Sequence, residues 1–142
     1  MSLDTTPLLV SGVLITGGFY TSPLRSTEIY NPITKTTCSL PQIPEYRRYH
    51  TQDGDLTCGG GKYGSSTNAT CVKWNRTSGT WTQSHTLRHK RWQHVSWETA
   101  SGVYLIGGDI RDNRTSEKVK SDGSVEDAFI PKYNTRLYFE FK

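Results

Sequence analysis

The chain has 142 residues, enough for one domain of ordinary size, with 33% hydrophobic residues and a formal net charge of +4. No apolar run approaches ~20 residues, which excludes a membrane-spanning helix, and residues 1–16 lack the basic start and long apolar core of a signal peptide. The charge permits an acidic partner without demanding one, and no nucleic-acid binding is expected.

The low apolar content is offset by 4 Trp, 8 Tyr and 4 Phe, whose rings bury much area per residue. Thr, Ser, Gly and Tyr are frequent, and no long Leu/Ala/Glu/Lys stretch occurs. That balance suits strands and turns. The first expected strand, Val13 to Thr16, ends in Gly17-Gly18. After a polar loop, Ser26 to Tyr30 reads as a second strand, and Asn31-Pro32 as its turn. Arg47-Arg48-Tyr49-His50 then leads into a short strand, Thr51 to Asp53, that turns at Asp53-Gly54.

The pattern then repeats. Leu56 to Cys58 ends in Gly59-Gly60-Gly61, Thr70 to Trp74 reads as a strand, and Trp81-Thr82-Gln83 opens another. The basic stretch His85 to His94 reads as a loop joining two units, and its end, Arg91-Trp92-Gln93-His94, repeats the R-x-x-H. Val95 to Glu98 follows, a turn at Ala100-Ser101-Gly102, and then Val103 to Ile106 running into Gly107-Gly108. Ser116 to Lys120 is the next expected strand, Ser121 to Ser124 a turn, and Val125 to Ile130 an outer strand. Tyr133 to Phe141 alternates well enough to start a fourth unit.

The register holds across several features at once: Arg47 to Arg91 and Tyr30 to Trp74 both span 44 residues. Each unit is therefore expected to hold four short strands, in approximate units 7–49, 50–93 and 94–132 with 133–142 beginning another, all in one domain over 1–142. A lone sheet of this size cannot bury a face, so units must stack.

These residues resemble kelch repeats: the glycine pairs, Tyr30 and Trp74, Trp81 seven further on, and Arg47 and Arg91. The resemblance implies an all-β fold, a partial β-propeller of four-stranded antiparallel blades. It implies that R-x-x-H leads into the innermost strand, the glycines end the second, Tyr30 or Trp74 lies on the third and Trp81 on the outermost. Thr37 stands where the family has Trp, and the third unit lacks both aromatics. Family propellers close with about five to seven blades, and about three are supplied here. The chain is thus expected to be a fragment, a truncated product, or an assembly that closes by self-association.

By the repeat register, Cys58 and Cys71 fall on neighbouring antiparallel strands, where a disulfide is reasonable; three reduced thiols in a cytosolic protein is the alternative. Cys38 is left over. Asn68, Asn75 and Asn113 head N-x-[ST] sequons in expected turns. Sequons and cysteines favour an extracellular or cell-surface address, with cytoplasmic as the alternative.

His85 and His89 have metal spacing for a helix, but no third ligand accompanies them, and no metal or cofactor is expected. The kelch-like scaffold also carries a copper oxidase, none of whose ligands maps here. The sialidase box, G-x-S-x-G, H-E-x-x-H and a phosphate loop are absent. Asp53, Asp55, Glu98, Asp109 and Asp112 read as turn formers rather than an acid–base pair. The best reading is a non-catalytic module that binds a protein or peptide through the loops after the glycines: Phe19 to Thr27, Lys62 to Asn68 and Ile110 to Thr115. Tyr20, Arg25, Tyr63 and Arg111 are the candidate contacts. The alternatives are part of a propeller enzyme, an oxidase or glycan-active, and a degenerate fragment without its own function.

Overall fold

The computed structural model describes residues 12–62, 67–108 and 115–129. Among them there are eleven strands in three antiparallel sheets and no helix. The first sheet has the order β1 (Val13–Thr16), β2 (Thr27–Asn31), β3 (Thr36–Leu40). The second runs β4 (Thr51–Asp53), β5 (Leu56–Cys58), β6 (Thr70–Asn75), β7 (Thr80–Thr86). The third runs β8 (Val95–Thr99), β9 (Gly102–Ile106), β10 (Ser116–Val119), β11 (Val125–Asp127). The all-β expectation agrees with this arrangement, and most expected strands are found; the outer strand expected from Val125 to Ile130 ends at Asp127. The strand expected over 133–141 lies outside the described residues.

Local chemistry sets the turns. Asn31 Oδ1 accepts the amides of Ile33 and Thr34, and Asn75 Oδ1 accepts those of Thr77 and Ser78 in the same way. Both turns close with a left-handed residue, Lys35 in one and Gly79 in the other, whose amide donates back to the Asn carbonyl at 2.8 Å. β2–β3 and β6–β7 are therefore two copies of one hairpin.

Strand alternation buries one set of side chains between each pair of sheets. Leu14, Ile29 and Leu40 of the first sheet pack with Trp74 of the second. Trp81 stacks at a tilt on Trp74, centroids 5.4 Å apart, and its indole N–H donates to Pro41 O at 3.1 Å. Cys58, Cys71 and Leu87 pack with Val103, Leu105 and Val119 of the third sheet. Each fully buried aliphatic contributes roughly 2 kcal/mol, so these two thin layers are the core. β4 and β8, edge strands of neighbouring sheets, approach each other.

The stretch 85–94 departs from its expected loop. His85 and Thr86 are the end of β7, and Leu87 is buried in the core. His85 Nε2 meets Lys120 O at 2.7 Å, which holds it to the third sheet and away from His89. The polar residues there hid a strand that β6 extends by pairing Thr70 with Thr86.

The glycine pairs sit at the junctions between sheets. The amide of Gly18 donates to Arg47 O at 2.7 Å, and that of Gly60 to Arg91 O at 2.8 Å. Gly59, at φ 66°, lies so close to the next R-x-x-H that a Cβ there would be 2.6 Å from Arg91 O and 2.7 Å from the His94 ring. Gly17 meets Arg47 O and His50 in the same way, at 2.6 and 3.1 Å. Only glycine permits both the backbone angle and the approach.

Candidate functional site

The two R-x-x-H segments begin with wholly buried arginines. Arg47 donates through Nη1 to Gly59 O and Thr70 O and through Nη2 to Thr70 Oγ1, at 2.7–2.9 Å. Arg91 makes the equivalent bonds to Gly107 O, Thr115 O and Thr115 Oγ1, and adds Glu117 at 2.7 Å. Glu117 also accepts the amides of Arg88 and His89, which ties the β7–β8 connection to β10. Burial brings the Arg47 guanidinium down to about 10, with the Glu45 charge partly opposing, so it stays cationic at neutral pH.

The segments end with histidines held neutral. Burial, and then the Arg91 charge, push His94 down to about 3. Burial and the Arg47 charge push His50 down to about 4. His94 Nε2 meets Thr51 Oγ1 at 2.8 Å, and His50 Nε2 meets Thr16 Oγ1 at 3.3 Å. Neutral histidines wedged between carbonyls and threonines brace the sheet junctions.

Between arginine and histidine the chain turns through a left-handed residue, Tyr49 at φ 55° and Gln93 at φ 56°. That conformation is uncommon for side chains other than glycine. It turns the middle positions away from the buried ends of the motif. Gln93 N donates to Tyr49 O at 2.9 Å, so the two turns are bonded across the sheet boundary. The result is a cluster beside the starts of β4 and β8. The Arg48 guanidinium lies 5.2 Å from the Phe19 ring centroid, 5.6 Å from Tyr49 and 5.7 Å from Trp92. Tyr49 and Trp92 are 5.5 Å apart at 60°. Phe19 and Tyr49 are exposed, and Arg48 Nε is buried with no hydrogen-bond partner. Among the described residues no carboxylate pairs with Arg48; the nearby Glu45 is taken by Lys62. The cluster thus presents a half-buried guanidinium together with the faces of three rings.

The sequence-nominated contacts fall differently. Tyr20 is 82% exposed beside Phe19, in a loop fixed by the Phe19–Pro23 bridge. Arg25 is engaged inside the fold: Nε donates to Ile43 O at 2.9 Å and the guanidinium lies over Tyr46. Tyr63, Arg111 and Asn113 lie outside the described residues. Sequence reading missed Arg48, Tyr49 and Trp92 because they are the variable positions of the motif; the signal was aromatic and basic residues between its fixed ends.

Asn75 is exposed in its turn. Asn68 is buried, and its amide nitrogen donates to Tyr46 O at 3.1 Å, so an oligosaccharide at Asn68 does not fit this fold. Cys58 and Cys71 face each other across β5 and β6 and are bonded, with Cα atoms 4.1 Å apart. Cys38 is half-buried on β3 and free.

A cleft of about 630 Å³ opens at the opposite end, between the second and third sheets. Its lining includes Asp53, Asp55, Glu98, Lys120 and Asp122. Most of these charges serve the fold: Asp55 pairs with Arg76, Lys120 with Glu126, and Asp122 caps its own turn at Ser124. No group of three metal-ligating side chains occurs among the described residues.

No family model matches the chain. Kelch-like protein 23 of Homo sapiens is 26% identical over 126 residues, covering 82% of this chain and 22% of that protein. The Mus musculus counterpart is 25% identical over the same length. The chain spans about a fifth of the length of these curated relatives. Among solved structures, the propeller YjhT matches with a TM-score of 0.69 at 11% identity, over 84% of this chain and 49% of that one. Repeat register, sheet arrangement and these likenesses agree: the chain folds as β-propeller blades and is similar to kelch-repeat proteins.

Proposed function

We infer that these blades form a non-catalytic binding module whose partner is a peptide segment of another protein. The Arg48 cluster carries the reading. A half-buried Arg48 with no carboxylate partner among the described residues, flanked by exposed Phe19 and Tyr49, is well suited to an incoming acidic and aromatic segment. Tyr20 extends the same surface. The rigid junctions beneath it hold the contacts in place before binding, which lowers the entropic cost.

The test is selection of peptides from a displayed random 12-residue library on the purified chain. Enriched peptides should carry Asp or Glu beside an aromatic residue. Arg48→Ala should weaken a selected peptide at least tenfold, about 1.4 kcal/mol. Peptides that bind the Arg48→Ala and Tyr49→Ala variants as tightly as the original would overturn the reading.

An oxidising, extracellular address accords with this reading. The buried Cys58–Cys71 bond and the exposed Asn75 sequon support it. Mass spectrometry of the native protein, mapping thiols and glycans, tests it; a free Cys58 and a bare Asn75 would contradict it.

A further inference from the structure

The disulfide of the second sheet is joined by short, bonded links to the Arg48 cluster. Cys58 and Cys71 oppose each other on β5 and β6, and each stands one residue from a group that holds Arg47. Gly59 follows Cys58, and its carbonyl accepts Arg47 Nη1 at 2.9 Å. Thr70 precedes Cys71, and its carbonyl and hydroxyl accept Arg47 at 2.8 and 2.7 Å. Gly59 N donates to Thr70 O at 3.1 Å, so the cradle of Arg47 spans both strands. The S–S bond fixes the spacing of those strands beside it.

The same glycine run reaches the exposed cluster. Gly60 N donates to the carbonyl of Arg91, the residue before Trp92. Gly61 N donates to Arg48 O at 2.8 Å, and Arg48 N donates to Gly61 O at 3.1 Å. A Cβ at Gly61 would stand 3.3 Å from the Trp92 ring and 3.6 Å from the Arg48 side chain. Arg48 is therefore placed from two sides, through its neighbour Arg47 and through Gly61, and both supports begin at the disulfide.

The third sheet shows what the bond stands in for. There Ile106 and Ser116 are the opposed pair, and Gly107 and Thr115 hold Arg91 as Gly59 and Thr70 hold Arg47. The cradle of Arg91 is reinforced by the Glu117 carboxylate at 2.7 Å. The cradle of Arg47 has Val72 at that position and a covalent bond one residue away.

We propose that the Cys58–Cys71 bond is the positioning element of the Arg48 surface, so that the chain binds its acidic, aromatic peptide at full strength only with this pair oxidised. The proposal rests on the binding reading above. A dithiol opens the bond by two successive exchanges: both protein sulfurs leave as thiols, and the dithiol leaves as a cyclic disulfide. With the bond open, hydrogen bonds alone hold Gly59 to Thr70. Arg47 then loses its fixed cradle, and the Arg48 guanidinium leaves its place over the rings. Ordering it again on binding costs affinity.

Nuclear Overhauser contacts in the ligand-free 142-residue chain read the positioning directly. The oxidised chain should show contacts from the Arg48 side chain to the Phe19 and Trp92 rings. The Cys58→Ala/Cys71→Ala variant and the dithiothreitol-reduced wild type should lose them and keep those between Trp74 and Trp81. Val119→Ala, which opens the same packed layer without touching the bond, should keep both sets. A peptide enriched on the oxidised chain should bind the double-cysteine variant about fivefold or more weakly, and Val119→Ala as tightly as the wild type. Arg48 contacts that survive loss of the bond overturn the proposal. So does a peptide affinity that is unchanged in the double variant, or that Val119→Ala weakens equally. If no peptide is enriched on the oxidised chain, the binding reading falls and redox control of binding falls with it. The ring contacts, read without peptide, tell that failure from a failure of positioning.

Discussion

Arg91 and Glu117 form an ion pair at 2.7 Å with neither side chain exposed to solvent, while the position on β6 that matches Glu117 is Val72. The two blades solve the same burial problem differently. In the third sheet a carboxylate neutralises the buried guanidinium; in the second, Arg47 relies on carbonyl and hydroxyl oxygens, and its Nε has no partner. Removing one member of a wholly buried pair strands the other's charge. Glu117→Ala should therefore destabilise the chain by roughly 3–5 kcal/mol in urea unfolding. A loss below 1 kcal/mol would show that Arg91 finds other compensation.

The left-handed glycines separate backbone strain from crowding. Gly54 and Gly59 have similar φ, 58° and 66°, yet nothing lies within 4 Å of a Cβ at Gly54, whereas Arg91 O would be 2.6 Å from one at Gly59. Gly54→Ala should cost about 1 kcal/mol, from the backbone alone. Gly59→Ala should cost at least 2 kcal/mol more, because both neighbours must move. Equal melting temperatures for the two variants would remove the glycine junction from the account.

Acid should loosen the molecule through its histidines. The folded-state values, about 4 for His50 and about 3 for His94, lie below the ordinary 6.5. Between about 3 and 6.5 the unfolded chain takes up protons that the folded chain refuses. Stability is then full above pH 6.5 and falls as pH falls through that window. For buried His94 the loss is on the order of a few kcal/mol by pH 3. Urea midpoints measured from pH 7.5 to 3.5 should fall, and His94→Gln should flatten the slope. An unchanged slope in that variant would place the acid sensitivity elsewhere.

The Cys58–Cys71 bond closes a short loop, with the cysteines 13 residues apart. Its removal in a Cys58→Ala/Cys71→Ala double variant should cost about 2–3 kcal/mol. Both cysteines lie in the layer between the second and third sheets, so part of that loss is packing. Equal stability of the variant and the oxidised chain would mean that the bond adds nothing to the fold.

Much of the fold was legible because its signals are local. A glycine pair ending an apolar run, Asn31 and Asn75 opening matched turns, and Trp74 with Trp81 each reflect a backbone or packing demand within a few residues. The disulfide followed from register, since Cys58 and Cys71 oppose each other on paired strands. The site was less legible because its parts lie far apart in sequence. Phe19, Arg48 and Trp92 meet only when three loops converge, and positive φ at Tyr49 is not announced by a tyrosine. Nothing near Arg25 in sequence reveals that its Nε donates to Ile43 O. Asn68 looked like a loop sequon, but its amide closes the gap beneath Tyr46.

The central claim is that the first two glycine pairs each bond their sheet to the R-x-x-H that leads into the next. Amide hydrogen exchange at Gly18 and Gly60 reads it directly, because their amides donate across the sheet boundary to Arg47 O and Arg91 O. Both should exchange only through global unfolding, as slowly as the core amides of β6. Exchange at Gly18 and Gly60 as fast as in the exposed turn at Thr77–Ser78 would contradict the account.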